Sequence, residues 1–179
     1  MIADANGRVD AARYVASDNC DERPTGEAIT LLVIHNISLP PGEFGGDGIE
    51  RLFTNDLDCA VHPYYSTLAG VRVSAHFLIR RTGELLQFVP CEKRAWHAGA
   101  SAWRGRSACN DFSIGVELEG TDDVPYAEPQ YLALAGLARA LRASYPIADI
   151  VGHCDIAPGR KTDPGPSFDW IRLRSSIGQ

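Results

Sequence analysis

No stretch of this chain approaches the ~18 consecutive apolar residues that cross a bilayer, so no membrane-spanning helix is expected. The start, Met1-Ile2-Ala3-Asp4-Ala5-Asn6, has neither a basic segment nor an apolar core and does not read as a signal peptide. A chain without such an address is expected in the cytoplasm. Surplus positive charge is also missing: 17 Lys and Arg face 23 Asp and Glu, a formal charge of −6. Nucleic acid and anionic membrane both reward excess cations, so neither is an expected partner. There is no Cys-x-x-Cys pair. The cysteines, Cys20, Cys59, Cys91, Cys109 and Cys154, are odd in number and scattered, which reads as reduced and mostly buried thiols. Internal repeats and low-complexity segments are absent.

What is present suits one globular domain. The 179 residues, 45% hydrophobic and 22% charged, are enough for a sizeable core. Residues 1–28 are polar and turn-rich and are expected as an irregular arm packed on that domain. Thr30–Asn36 reads as a buried strand. The connection that follows, Pro40-Pro41-Gly42-Glu43-Phe44-Gly45-Gly46, is too rich in Pro and Gly for regular structure. Short helices are expected at Ile49–Phe53 and Tyr64–Ala69. Val73–Arg80 reads as a strand that turns through Thr82-Gly83-Glu84 into Leu85–Val89. Phe112–Glu119 alternates: Phe112, Ile114, Val116 and Leu118 share one face, and Ser113, Gly115, Glu117 and Glu119 the other. Glu128–Ser144 carries Tyr131, Leu134, Ala135, Ala138 and Leu141 at helical spacing. A short strand at Ile150–His153 and a helix at Phe168–Ile177, with Ser167 as its N-cap, complete the order. The expected fold is mixed α/β, a single mixed central sheet flanked by helices, because each sheet face needs a covering layer.

Three residues far apart read as one metal site. His35 ends the apolar run Leu31-Leu32-Val33-Ile34, His153 ends Ile150-Val151-Gly152, and Asp163 follows in a loop rich in Pro and Gly. Three N/O ligands with a fourth position left open suit a catalytic zinc, Zn2+, and such a metal brings the pKa of water to near ~7. Strand alternation sends Cys154 away from His153 and demotes it as a ligand. Asp155 rivals Asp163 as the carboxylate, and spacing alone leaves that choice open. Glu117 reads either as a general acid–base or as a solvated strand-end carboxylate; Glu119 reads as the latter. Lys161 alone would pass for surface charge. His62, His76 and His97 are not expected ligands, and His76 fits a satisfied core histidine. Gly115 leaves room beside Glu117 for a ligand. Trp103 and Trp170 read as packing. The basic clusters at Arg80-Arg81, Lys93-Arg94, Arg104-Arg106 and Arg139-Arg142 leave open a cationic pocket for an acidic small substrate.

Four long strings add a resemblance. They are Leu32 to Phe44, Arg94-Ala95-Trp96-His97-Ala98-Gly99, Cys109 to Gly120, and Gly152 to Pro166. They resemble the cytoplasmic 1,6-anhydro-N-acetylmuramyl-L-alanine amidases of peptidoglycan recycling, over about Cys20 to Trp170. The resemblance implies the zinc amidase fold of peptidoglycan recognition proteins and phage lysozyme-type amidases. It implies His35, His153 and Asp163 as zinc ligands, which favours Asp163 over Asp155. Glu117 falls on the family's catalytic carboxylate and Lys161 on its catalytic lysine. Asn36, Arg72 and Trp96 match positions lining the muropeptide pocket. Where many relatives carry an arginine before Cys109-Asn110-Asp111, this chain has Ala108, so a peptide-carboxylate contact is either lost or supplied by Arg104 or Arg106. The expectation is a monomeric zinc hydrolase with a small muropeptide as its partner. A broad amidase acting on intact cell wall and a non-catalytic peptidoglycan-binding module are the alternatives. The long connection from Ile37 to about His62 leaves the strand bearing His35 and is expected to gate the site, with a static ordered loop as the alternative.

Overall fold

The computed structural model describes residues 1, 4 and 6–178. Ile2, Ala3 and Ala5 of the expected irregular arm, and Gln179, lie outside the described residues. The strands are β1 (Arg13–Tyr14), β2 (Cys20–Glu22), β3 (Leu31–Ile37), β4 (Phe77–Ile79), β5 (Leu85–Gln87), β6 (Lys93–Ala95), β7 (Ala102–Trp103), β8 (Arg106–Ser107), β9 (Ser113–Glu119) and β10 (Asp149–Gly152). The helices are α1 (Gly48–Phe53), α2 (Pro63–Ser66), α3 (Glu128–Ser144), α4 (His153–Ile156) and α5 (Trp170–Ile177). Six strands form a mixed sheet in the order β1-β5-β4-β9-β3-β10. All neighbours in it run parallel except the β4–β5 hairpin. This is the mixed α/β architecture expected. No helix among the described residues is long and apolar enough to cross a membrane.

β9 and β3 sit in the middle of the sheet, so both their faces are covered. On one face Leu32, Ile34, Ile114, Val116, Leu118, Phe77 and Ile79 pack with Tyr131, Leu134, Ala138 and Leu141 of α3 and Leu173 of α5. Gln130 anchors α3 to the sheet: its Oε1 accepts the Ala127 N–H at 3.0 Å and its Nε2 donates to the Glu119 carbonyl at 3.0 Å. The opposite face carries two separate apolar clusters. One joins Leu78, Leu86 and Phe88 to Ile49, Leu52 and Phe53 of α1. The other joins Leu31, Val33, Phe112, Val151 and Ile156. Between them runs the polar side of β9.

Several expected boundaries move. The N-terminal arm is not wholly irregular: β1 pairs with β5 at the sheet edge and β2 pairs with β6. Val73–Ser74 is bent away from the ladder, because Ser74 Oγ donates to the Asn19 carbonyl at 2.6 Å and accepts the Trp96 N–H, so β4 begins only at Phe77. The turn into β5 holds, with Gly83 at φ +86 against Pro129 of α3. The last helix starts later than expected. Asp169, not Ser167, caps it, accepting the Arg172 N–H at 2.9 Å. All five cysteines are free; Cys91 and Cys109 are buried and the other three half-buried.

Candidate metal centre

The polar side of β9 opens, at its C-terminal half, into a cavity of about 350 Å³ lined by His35, Asn36, Trp96, His97, Glu117, His153, Lys161 and Asp163, among others. Seven of the eight residues expected at the site therefore share one cavity. β3 and β9 pair with His35 opposite Glu117, which puts both side chains on the same face.

The three expected ligands converge. His35 Nδ1 lies 2.9 Å from His153 Nδ1, and each is 3.1 Å from Asp163 Oδ2. Zinc bonds of ~2.0–2.2 Å in a tetrahedron set neighbouring ligand atoms roughly 3.3 Å apart, so this spacing needs only a few tenths of an ångström of adjustment. The tautomer of His153 fits as well. Its Nε2 lies 3.1 Å from the Ala98 carbonyl, an acceptor, so Nε2 carries the proton and Nδ1 presents a lone pair to the other two ligands. Two imidazole nitrogens and a carboxylate facing one another at this distance suit a cation. The donor set fits zinc.

His153 is not a strand residue, as expected, but the first residue of α4. The helix starts there because the Asp155 carboxylate accepts the Gly152 N–H at 2.7 Å. Asp155, the rival carboxylate, is thus committed to a cap and is exposed. Demoting Cys154 by strand alternation does not apply inside a helix.

Burial sets the ionisation of the site. Burial lowers His35 to about 4, so its imidazole stays neutral and able to ligate at physiological pH. For Asp163, burial works against the carboxylate, but the imidazoles of His153 and His35 outweigh it and hold the carboxyl below its ordinary range. Glu117 is raised well above the usual carboxylate range, first by burial, then by Asp163, with Lys161 opposing. Its Oε2 is buried without a hydrogen-bond partner among the described residues, and buried polar atoms left so are uncommon and concentrate at functional sites.

The remaining candidates divide. Trp96 is half-buried on the cavity wall and Lys161 is exposed at its mouth. Asn36 also lines the cavity, with its side-chain amide donating to Asp122 Oδ1 at 2.7 Å and the Pro164 carbonyl at 3.2 Å. Arg72 is not brought to this cavity but lines a second one of about 160 Å³ with Leu52, Leu57 and Leu68. The basic clusters do not build a cationic pocket here. Arg80 pairs with Glu50 and Glu119, Arg94 with Asp21 and Asp111, Arg104 with Asp149 and Arg106 with Glu27, so Arg104 and Arg106 are already engaged.

Two expectations about the polar face are corrected. Glu119 is not solvated. It is 2% exposed, accepts Arg80 Nη1 at 2.9 Å and the main-chain N–H groups of Arg81 and Gly45. The space beside Gly115 is filled by the His97 ring, which a Cβ there would meet at 2.5 Å. His76 is a satisfied core histidine: its Nδ1 accepts the Gly115 N–H and its Nε2 donates to the Lys93 carbonyl. His62 caps α2, its Nδ1 accepting the Tyr64 N–H.

A mixed sheet with a His-His-Asp group able to hold a metal ion and a buried carboxylate beside it suits a hydrolase. Residues 25–166 match the N-acetylmuramoyl-L-alanine amidase family profile, and the chain belongs to that family. Within it, the chain is 58% identical over 170 residues, 94% of its own length and 93% of the relative's, to the 1,6-anhydro-N-acetylmuramyl-L-alanine amidase AmpD of Escherichia coli (strain K12). The crystal structure of a selenomethionine AmpD derivative superposes with a TM-score of 0.96 at 57% identity, covering 99% of each chain. A complex of the E. coli amidase AmiD with anhydro-N-acetylmuramic acid-L-Ala-D-gamma-Glu-L-Lys superposes with a TM-score of 0.62 at 30% identity, over 89% of this chain and 66% of that one.

Proposed function

We propose that this chain hydrolyses the lactyl-amide bond between 1,6-anhydro-N-acetylmuramic acid and L-alanine in soluble muropeptides, releasing the anhydro sugar and the peptide during peptidoglycan recycling. The observation that carries the reading is the convergence of His35, His153 and Asp163 beside a buried, unpartnered Glu117, in a chain alike along nearly its whole length to an enzyme of that name. On this reading residues 1–179 act as one amidase domain, monomeric and cytoplasmic.

His35, His153 and Asp163 would hold zinc. When bound, it supplies Lewis acidity that polarises an amide carbonyl and makes water nucleophilic at neutral pH. The chain's own residues do the rest. Glu117 takes the proton of the attacking water and returns it to the departing alanine nitrogen, a shuttle that benefits from a carboxylate whose proton affinity burial has raised. The Lys161 ammonium faces the same cavity and offsets negative charge developing on the carbonyl oxygen. Trp96 offers an apolar wall to a sugar ring.

The test is a product assay with metal control. Zinc-loaded protein should convert anhydro-muropeptide to two products resolved by mass spectrometry, chelation should abolish this, and zinc should restore it. Intact sacculi and reducing-end muropeptides should be cleaved far more slowly. Equal rates on all three substrates would favour a broad wall amidase. Binding without cleavage by zinc-loaded protein would favour a non-catalytic module.

A further inference from the structure

His97 sits behind the metal centre, not in its ligand set, and its surroundings are unusually complete for a residue with no assigned role. Its ring is half-buried on the cavity wall and its two nitrogens are both engaged. Nδ1 lies 2.9 Å from His35 Nε2, and Nε2 lies 3.2 Å from Ser113 Oγ. Its backbone N–H donates to Asn110 Oδ1, which also accepts the Ala98 N–H, so the residue is pinned from the main chain as well. Gly115 provides the space: a Cβ there would meet the ring at 2.5–2.7 Å, and at Gly115 the backbone φ is not in the left-handed region, so nothing but the ring requires glycine.

We infer that His97 is a positioning residue that fixes the tautomer and orientation of His35, so that His35 Nδ1 is delivered to the metal as a lone pair. This rests on the zinc reading above. The reasoning is one of proton accounting. A neutral imidazole carries one N–H, and the partner of one nitrogen decides where it goes. If His97 Nδ1 accepts, His35 carries its proton on Nε2 and turns a lone pair toward His153 and Asp163. If His97 Nδ1 were to donate, His35 would carry its proton on Nδ1, pointing at His153 Nδ1 only 2.9 Å away, and the ligand set would be blocked. On this inference Ser113 Oγ, a hydroxyl able to accept, takes the His97 Nε2–H, which leaves Nδ1 as the acceptor. The relay therefore runs Ser113 to His97 to His35 to metal, and it parallels the Ala98 carbonyl behind His153. Partners of this kind behind a ligating histidine are typically worth about 10–100-fold in metal affinity.

The experiment is a zinc dissociation constant by competition with a chromogenic chelator, for wild type, His97→Ala, His97→Asn and Gly115→Ala, each checked for fold by circular dichroism. His97→Ala should weaken zinc by about 10–100-fold. His97→Asn, whose side-chain oxygen can stand where Nδ1 stood, should recover most of that loss. Gly115→Ala, which keeps the imidazole but displaces it, should weaken zinc in the same direction. A purely packing role predicts the opposite order, with Asn no better than Ala. Should the variants fail to fold, ¹⁵N long-range couplings on zinc-loaded wild type decide: His97 protonated on Nε2 supports the relay, and His97 protonated on Nδ1 overturns it. Wild-type affinity in a folded His97→Ala overturns it too. Failure of the underlying zinc reading would look different, since wild type itself would then bind no zinc.

Discussion

The face of β9 that carries Ile114, Val116 and Leu118 and the face that carries Ser113, Gly115, Glu117 and Glu119 are both buried, the second reaching the cavity at Glu117, and they are held by different physics. The first is a hydrophobic contact with α3, non-directional and tolerant of small shifts. The second buries polar groups, which is stable only when each finds a directional partner. Glu119 finds Arg80 and two backbone N–H groups, Ser113 finds His97, and the Gly115 N–H finds His76. Glu117 Oε2 finds none among the described residues. The difference teaches where to look for function in a fully buried strand: at the polar position whose partner the fold does not supply.

The comparison breaks most sharply in turnover. Glu117→Gln should keep the fold and zinc but lose about 10²–10⁴-fold in kcat, the range for general acid–base assistance. Lys161→Ala should lose about 10²–10³-fold as an oxyanion stabiliser. Steady-state kinetics with metal analysis on the same samples checks both. Near wild-type turnover with zinc bound would remove the role of the residue concerned.

The apolar face should respond in the other currency, stability. Leu118→Ala, at a position 1% exposed in the α3 contact, should cost about 2–5 kcal/mol in chemical denaturation. The kcat of the folded fraction should stay close to wild type. A Leu118→Ala variant as impaired in kcat as Glu117→Gln would show that the two faces are not separable.

Much of this division is legible from sequence, and the part that is not has physical reasons. Alternation from Ser113 to Glu119 gives the strand and sorts its faces, because a period of two survives whatever packs on either side. Phe112, expected beside Ile114, Val116 and Leu118, precedes the strand and packs with Leu31 and Val33 on the other face. Alternation cannot tell a solvated Glu119 from a buried one. That depends on Arg80 and on the N–H groups of Arg81 and Gly45, residues 38 to 74 positions away in the chain. His97 shows the same limit. The informative signal was Gly115, a residue without a side chain amid serine and glutamate, but sequence gives the space and not its occupant. β1 and β2 are two and three residues long, too short for any period, and exist only because β5 and β6 are there to pair with. The helix Glu128–Ser144 needed no such help, since its apolar stripe encodes its own burial.

The smallest expected effect tests the polar face directly, through the pH dependence of stability with metal removed. Glu117 has a folded-state pKa raised above its unfolded value, chiefly by burial. The sign follows: the contribution of its neutral form to stability is fully present below the unfolded value and is lost as pH rises through the folded one. Above the ordinary carboxylate range, the metal-free protein must either hold a proton on Glu117 or bury an unpaired charge. Glu117→Gln removes that requirement while keeping the shape. Metal-free Glu117→Gln should therefore gain on wild type as pH climbs from acid to neutral, by about 1–3 kcal/mol, the usual cost of a buried group left unsatisfied. Zinc should shrink the gap, because a cation at His35, His153 and Asp163 favours the Glu117 carboxylate. Melting temperatures of both proteins across this range, with chelator and with zinc, give four curves. A wild type that gains on the variant with rising pH in chelator would mean that Glu117 has a partner in solution, and the contrast between the two faces of β9 would lose its one unpaired position.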